Sequence, residues 1–121
     1  MKTLLLALAA TIFFHAVTNA QTVNGVPLKD LDVEYVQIVG ETVLFSNKIT
    51  VALDFGQENK TWGNKEFQLK DVNGKKIQFN SMIDALNFMT RQGFEFVQAY
   101  AMNTSSQGIY HYLLRKKKAS L

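Results

Sequence analysis

One amphipathic segment, residues 81–92, limits the folds open to this chain. Ser81, followed three residues later by Asp84, resembles a capping box, in which two side chains satisfy backbone N–H groups at the start of a helix. Gly93 stands where a helix commonly ends in a left-handed residue. At about 100° per residue, one arc of this helix is apolar: Met82, Ile83, Ala85, Leu86 and Met89. Because this is the one main helix that the sequence predicts, its apolar arc has to pack on a β-sheet.

Alternating apolar residues before the helix predict antiparallel strands. Period-two spacing starts at Val33 and reaches Val39, and Gly40-Glu41 suggests a tight turn after this first strand. A second strand is expected over residues 42–46. A third is expected over residues 49–55, where the alternation is clearest.

Two registers are open for a hairpin around Asn73-Gly74. A two-residue turn would put the flanking apolar residues on opposite faces of the sheet. A three-residue loop pairs Asp71 with Lys75, and apolar residues then face each other: Leu69 with Ile77, and Phe67 with Phe79. A slip of one residue flips every side chain, so the apolar match favours the longer loop, with a type I turn and a left-handed Gly74.

Two further strands are predicted after the helix, around a loop at residues 103–108. Pairing centred on that loop places Ala99 opposite Tyr112, and it also gives the pairs Val97–Leu114 and Glu95–Lys116. The small Ala99 and Ala101 would let the helix approach one face closely. The other face would show Phe96, Gln98, Tyr100, Met102, Ile109, His111 and Leu113. The sequence therefore predicts an α+β fold, with an antiparallel sheet of about five to six strands and one main helix packed on one face.

The last third of the chain resembles a widespread group of small bacterial domains of unknown function. The resemblance rests on Leu86-Asn87, on Gly93-Phe94-Glu95 and on the run at residues 112–116. The signature of those domains is a Leu-Asn helix, a Gly-Trp-Glu step into a strand, and a closing strand that ends in basic residues. Here Phe94 stands in place of the more usual Trp. The match covers about residues 83–116; it implies a compact α+β unit with a helix on an antiparallel sheet, and it implies no activity.

Residues 1–20 have the three-part pattern of a secretory signal peptide. A positive start at Lys2 precedes an apolar run, and the small residues Thr18 and Ala20 occupy the −3 and −1 positions of a cleavage site. We expect a leader segment at residues 21–32, a single α+β domain at residues 33–118 and a tail at residues 119–121.

The absence of cysteine limits the cellular compartments in which we expect this protein. The chain has no cysteine, which excludes a disulfide framework and thiol catalysis. Small extracellular domains of animals usually carry disulfides, so an exported domain without them indicates a bacterial periplasmic or secreted protein.

The charge of the chain after residue 20 is nearly balanced. Removing Lys2 from the 13 basic residues leaves 12 against 10 acidic ones, a net charge of +2. The basic residues are not spread over one face with aromatics between them, so no nucleic-acid partner is expected.

Four of the basic residues stand together near the end of the chain: Arg115, Lys116, Lys117 and Lys118. They are interpreted either as a solvated end or as a surface-charge tail that contacts anionic lipid or polysaccharide. Each charge near such a surface contributes on the order of 1 kcal/mol. In the second case, raising the salt concentration should release the protein.

Candidate binding residues are aromatic. Trp62 sits in a polar loop and could be a recognition anchor. Phe96 and Tyr100 belong to the predicted uncovered face of the sheet, and His111, the one histidine after residue 20, lies beside them. A lone histidine supplies neither a three-ligand metal site nor a catalytic triad, so no catalytic residue, metal or cofactor is expected.

These observations predict an exported, non-catalytic binding or interaction domain of the bacterial envelope with a protein or glycan partner. The uncovered sheet face is its predicted binding surface, because one helix covers only one side of a sheet. Two alternatives stay open. One is a small carbohydrate-active or hydrolytic enzyme with an unrecognised site, and the other is a self-associating structural subunit, such as a homodimer formed through that face.

Overall fold

The structure, a computed structural model, describes residues 21–43, 45–58, 67–103 and 108–118. These residues form seven strands, one α-helix and a short 3₁₀ turn at Leu28–Asp30. The strands are β1 (Thr22–Val23), β2 (Val26–Pro27), β3 (Tyr35–Thr42), β4 (Ile49–Asp54), β5 (Gln78–Phe79), β6 (Phe94–Asn103) and β7 (Gly108–Lys116), and the helix is α1 (Met82–Arg91).

Five of the strands form one antiparallel sheet in the order β5-β4-β3-β7-β6, and β1 pairs with β2 in a separate small hairpin. The helix packs against one face of the larger sheet, and the main core lies between them. We call this side of the sheet the helix face and the other side the open face. The predicted α+β fold, with its antiparallel sheet and one main helix on one face, is confirmed.

The helix begins and ends where the sequence predicts. Ser81 is the N-cap, and its hydroxyl accepts a hydrogen bond from the Asp84 N–H at 3.2 Å. The Asp84 carboxylate in turn accepts a hydrogen bond from the Asn80 N–H at 2.9 Å. Gly93 follows the helix with φ of 93°, a conformation that glycine adopts without steric cost. Among the described residues, no helix is long and apolar enough to cross a lipid bilayer.

The buried side of the helix is narrower than the predicted apolar arc. Met82, Ala85 and Met89 are buried, and Leu86 packs partly against the core. Burying a side chain the size of methionine stabilises the fold by roughly 1.5–3 kcal/mol. Ile83 was expected on the same arc, but it is 57% exposed. That expectation was wrong for Ile83 because Ile83 lies at one end of the arc, and the core covers the arc from Ala85 at the other end only as far as Leu86.

Strand β3 runs straight through the position of the predicted turn. Gly40 pairs with Val51 on one side and with Tyr110 on the other, and Glu41 is also within the strand. The predicted turn at Gly40-Glu41 was therefore wrong. The turn lies farther along, where the Val43 N–H donates to the Lys48 carbonyl at 2.9 Å.

The prediction of a separate strand at residues 42–46 is also wrong, because β3 continues to Thr42 and a turn follows it. Thr42 is the last residue of β3, and the Ser46 N–H donates to the Val43 carbonyl at 3.1 Å in the connection to β4. Phe45 has φ of 58° and a fully exposed side chain. This left-handed backbone belongs to a turn rather than to a strand.

Gly40 has a packing role. A Cβ atom at this position would lie 2.1 Å from the Sδ atom of Met82, so glycine lets the first turn of the helix rest directly on β3. The sequence had suggested Ala99 and Ala101 for the site of close approach. Both alanines are exposed, so that expectation was wrong.

The hairpin at residues 71–75 has the predicted three-residue loop. The Asp71 N–H donates to the Lys75 carbonyl at 2.8 Å, and the Gly74 N–H donates to the Asp71 carbonyl at 3.0 Å. Gly74 is left-handed, with φ of 76°. The Ile77 N–H donates to the Leu69 carbonyl at 2.9 Å, which confirms the register that puts these two residues opposite each other.

The two arms of this hairpin separate beyond the loop because each of them pairs with β4. Phe79 lies opposite Ile49, and Gln68 forms a bridge with Ala52. The predicted pairing of Phe67 with Phe79 was therefore wrong. Both phenylalanines are nevertheless buried in the main core.

Residues 21–32, the predicted leader segment, contribute to the core of the domain. Val23, Leu28 and Leu31 are buried within it. Thr22 exchanges two backbone hydrogen bonds with Lys70, of 3.1 and 3.0 Å. The leader is thus held by both burial and strand pairing.

A β-bulge decides which residues of β6 face the helix. Near the hairpin loop, Ala99 lies opposite Tyr112, as predicted. The bulge at Val97 then shifts the register by one residue, so that Phe96 rather than Val97 lies opposite Leu114. The predicted pair Val97–Leu114 was wrong.

Candidate binding cleft on the open face

A row of paired residues crosses the centre of the open face. Val39 of β3 lies opposite Ala52 of β4 and opposite His111 of β7, and His111 lies opposite Tyr100 of β6. Directly opposed residues in antiparallel strands share a face of the sheet, so these side chains are neighbours. Val39 and His111 are buried, and Tyr100 is 47% exposed at the end of the row.

Tyr100 and His111 form a ring stack that is held in place from the neighbouring strand. Their ring centroids are 4.6 Å apart and their planes differ by 5°. The Gln37 side-chain amide donates a hydrogen bond to His111 Nδ1 at 2.8 Å. Burial lowers the pKa of the His111 imidazole below its ordinary value of 6.5, and a nitrogen that accepts a hydrogen bond carries no proton. The stack is therefore a neutral, oriented aromatic platform.

A cleft of about 370 Å³ lies beside this stack. Its lining residues are Glu41, Tyr100, Met102, Ile109 and His111. Small-molecule sites typically measure roughly 300–1,000 Å³ and combine apolar walls with a few polar groups. Here Met102 and Ile109 supply apolar wall, and Glu41 supplies a carboxylate that accepts hydrogen bonds. The cleft has the size and composition for one ring-sized chemical group.

The structure brings together two of the four candidate binding residues. Tyr100 and His111 share the cleft, whereas Phe96 lies on the helix face. There its ring meets that of Tyr112 edge-on, with the two ring centroids 5.8 Å apart. Phe96 was expected on the open face, and that was wrong because the bulge at Val97 changes the alternation. Trp62 lies outside the described residues.

Two residues of the site were missed from the sequence. Glu41 was assigned to a turn, although unbroken alternation through Gly40 would have placed it on the open face of a strand. Gln37 carries no local signal, because its role depends on the pairing of β3 with β7. It is 74 positions away from His111 in the chain.

Two of the four residues of the predicted basic tail are held within the fold. The Arg115 guanidinium forms an ion pair with Glu95 at 2.6 Å, which raises the pKa of Arg115. The predicted pair Glu95–Lys116 was wrong, since Glu95 lies opposite Arg115. The Lys116 amine donates to two backbone carbonyls of the N-terminal segment. Arg115, Lys117 and Lys118 are exposed, whereas Lys116 is half-buried.

Within the described part of the chain, no group of three or more His, Asp or Glu side chains could hold a metal ion. The sequence matches no family model and no curated protein. Function is therefore inferred from the chemistry of the cleft.

Proposed function

We propose that this protein is an exported, non-catalytic binding domain of the bacterial envelope whose open-face cleft holds a sugar ring of an envelope glycan. One observation carries the proposal: the half-exposed ring of Tyr100 is oriented by His111 beside a carboxylate, that of Glu41. A sugar ring offers an apolar C–H face to an aromatic ring and hydroxyl donors to a carboxylate.

The composition of the cleft favours binding over hydrolysis. Glycoside hydrolysis by the usual route needs two carboxyl groups on either side of the scissile bond. The described lining of this cleft contains one carboxylate, that of Glu41. Apolar side chains fill most of the remaining wall, which suits retention of a ring without chemical attack on it.

Export and family membership are parts of the same proposal. Export is supported by the signal-peptide pattern of residues 1–20, and mass spectrometry of the secreted protein should find an N-terminus near Gln21. Kinship with the small bacterial domains is supported by the order of helix α1, the Gly93 turn, β6 and a closing strand that ends in basic residues.

Chemical-shift titration tests the ligand class. The ¹⁵N-labelled protein is titrated with oligomers of N-acetylglucosamine and with glucose oligosaccharides to about 10 mM, a range that detects dissociation constants as weak as about 1 mM. Shifts are expected at Tyr100, His111 and Glu41. Tyr100→Ala should weaken binding by at least about tenfold, the effect of removing an aromatic anchor.

Tyr110→Ala is the matched control, because Tyr110 is an exposed tyrosine that lies one residue from His111 on the opposite face. It should leave the affinity unchanged. Equal losses in the two variants, or no shift with any oligosaccharide, would contradict the glycan proposal. Peptides are added in a parallel titration. If peptides shift the resonances of the cleft residues and oligosaccharides do not, the cleft belongs to a protein partner instead.

A further inference from the structure

Strand β6 is an edge of the sheet, and after its bulge at Val97 it lacks the features that usually keep edge strands unpaired. It is ten residues long, whereas β5 at the other edge has two. Natural edges are commonly short or carry lysine, proline or other charges. The one charged residue of β6 is Glu95, near its start, and that side chain is paired with Arg115 of β7. No described strand pairs with the outer side of β6.

The exposed part of β6 is apolar on both faces of the sheet. Every residue from Phe96 to Asn103 is exposed. Phe96 points to the helix face, and Tyr100 and Met102 point to the open face. A partner that lay flat on one face would leave the other face in water. A strand that continues the sheet would lie next to both sets of side chains.

The charge pattern identifies the kind of strand that fits. Residues 96–103 carry no charged side chain, so the complementary strand needs none. β6 itself is such a strand. Antiparallel pairing of two identical strands follows a two-fold axis, in which the same surface of each copy meets the other.

We propose that β6 pairs antiparallel with β6 of a second copy of this chain, joining two five-stranded sheets into one of ten strands. A two-fold axis perpendicular to the sheet puts the open faces of the two copies on the same side. Each residue of one copy then lies opposite either the same residue of the other copy or a residue an even number of positions away. The bulge at Val97 restricts regular pairing to the residues after it. The axis therefore passes beside Tyr100 or Ala101, near the middle of residues 98–103.

This dimer does not depend on the glycan proposal, although it would bring two open-face clefts close together on one surface. Each Tyr100 would lie near the axis, so both clefts would open on the same side of the joined sheet. A dimer without glycan binding, or glycan binding by a monomer, would separate the two proposals.

The test begins with the mass of the purified protein in sedimentation velocity and light scattering. As the protein concentration rises from about 1 μM to about 1 mM, the mass of the wild-type protein should increase from that of a monomer to that of a dimer. Amide hydrogen exchange over residues 98–102 should slow as the dimer forms, because pairing protects outward N–H groups. A species that stays monomeric throughout this range, or one that grows beyond two chains, overturns the proposal.

Charge-swapped variants test the strand pairing itself. One carries Ala99→Lys with Ala101→Lys, and the other carries Ala99→Glu with Ala101→Glu; both alanines are exposed, so the fold should tolerate these changes. Like charges on opposed strands repel, so each variant alone should dissociate at least about tenfold more readily. An equimolar mixture should recover the dimer. Circular dichroism confirms that each variant is folded.

Val72→Lys serves as the control, because it adds a lysine at an exposed position of the 71–75 hairpin loop, whose arms pair with β4 near the opposite edge of the sheet. It should leave the dimer intact. A dimer that survives both paired substitutions, or variants that fail to associate when mixed, would show that β6 is not the interface.

Discussion

Replacing Gly40 with alanine should destabilise the protein chiefly through a clash with the Met82 side chain. The backbone of Gly40 is not in the left-handed region, so alanine is conformationally allowed. An added Cβ would lie 2.1 Å from Met82 Sδ, 3.1 Å from Met82 Cε and 3.2 Å from Ile49 Cγ2. Non-bonded carbon atoms ordinarily lie about 3.5–4.0 Å apart. Met82 is 5% exposed, so its thioether has little room to move.

Two opposing contributions set the expected magnitude. Overpacking a core costs about 1–3 kcal/mol. Reducing the freedom of the unfolded chain by replacing glycine with alanine recovers about 0.4–1 kcal/mol. Gly40→Ala should therefore lower the free energy of unfolding by about 1–2 kcal/mol. In a domain of this size, each kcal/mol lowers the melting temperature by roughly 4–8 °C.

A double-mutant cycle measures whether Met82 is responsible. Urea unfolding followed by circular dichroism compares wild type, Gly40→Ala, Met82→Ala and the double variant. Met82→Ala should cost about 2–5 kcal/mol alone, but it removes the atoms that clash. The double variant should therefore be more stable than the sum of the two changes predicts, by about 1–3 kcal/mol.

The control cycle tests Met89→Ala in place of Met82→Ala. Met89 is fully buried, but none of its atoms is among the three nearest to the added Cβ. Gly40→Ala and Met89→Ala should combine additively. If Gly40→Ala and Met82→Ala are also additive to within about 0.5 kcal/mol, then Gly40 is not required by helix packing and the reasoning fails.

Two further predictions concern the helix cap and the histidine. Ser81→Ala removes the acceptor of the Asp84 N–H and should cost about 0.5–2 kcal/mol in urea unfolding, with Ser81→Thr much closer to wild type; equal losses would show that the cap contributes little. Because the folded-state pKa of His111 is lowered from 6.5, the unfolded chain takes up the proton first as the pH falls. The contribution of His111 to stability should be constant well above pH 6.5 and should decline as the pH falls through 6.5 toward the range where carboxylates begin to titrate. His111→Gln should flatten that decline, and a decline that persists in this variant would assign it to other groups.

Local features of this fold were predictable because their causes lie within a few residues of chain. The Ser81 cap, the Gly93 helix end and the Asp71–Lys75 loop each depend on hydrogen bonds between near neighbours. Alternation likewise placed Tyr100 and His111 together on the open face. Four of the five residues that line the candidate cleft, all except Glu41, were thus predicted from the sequence to share the open face.

Features that depend on distant contacts were decided by the tertiary structure. Gly40 is a residue type common in turns, but here a helix more than forty positions away requires a position without a side chain. The Val97 bulge turned Phe96 to the helix face, and only the pairing of β3 with β7 brought Gln37 and Glu41 to the ring stack. A residue's type and spacing determine its local conformation, whereas the face it occupies depends on the strand opposite, which local sequence does not specify.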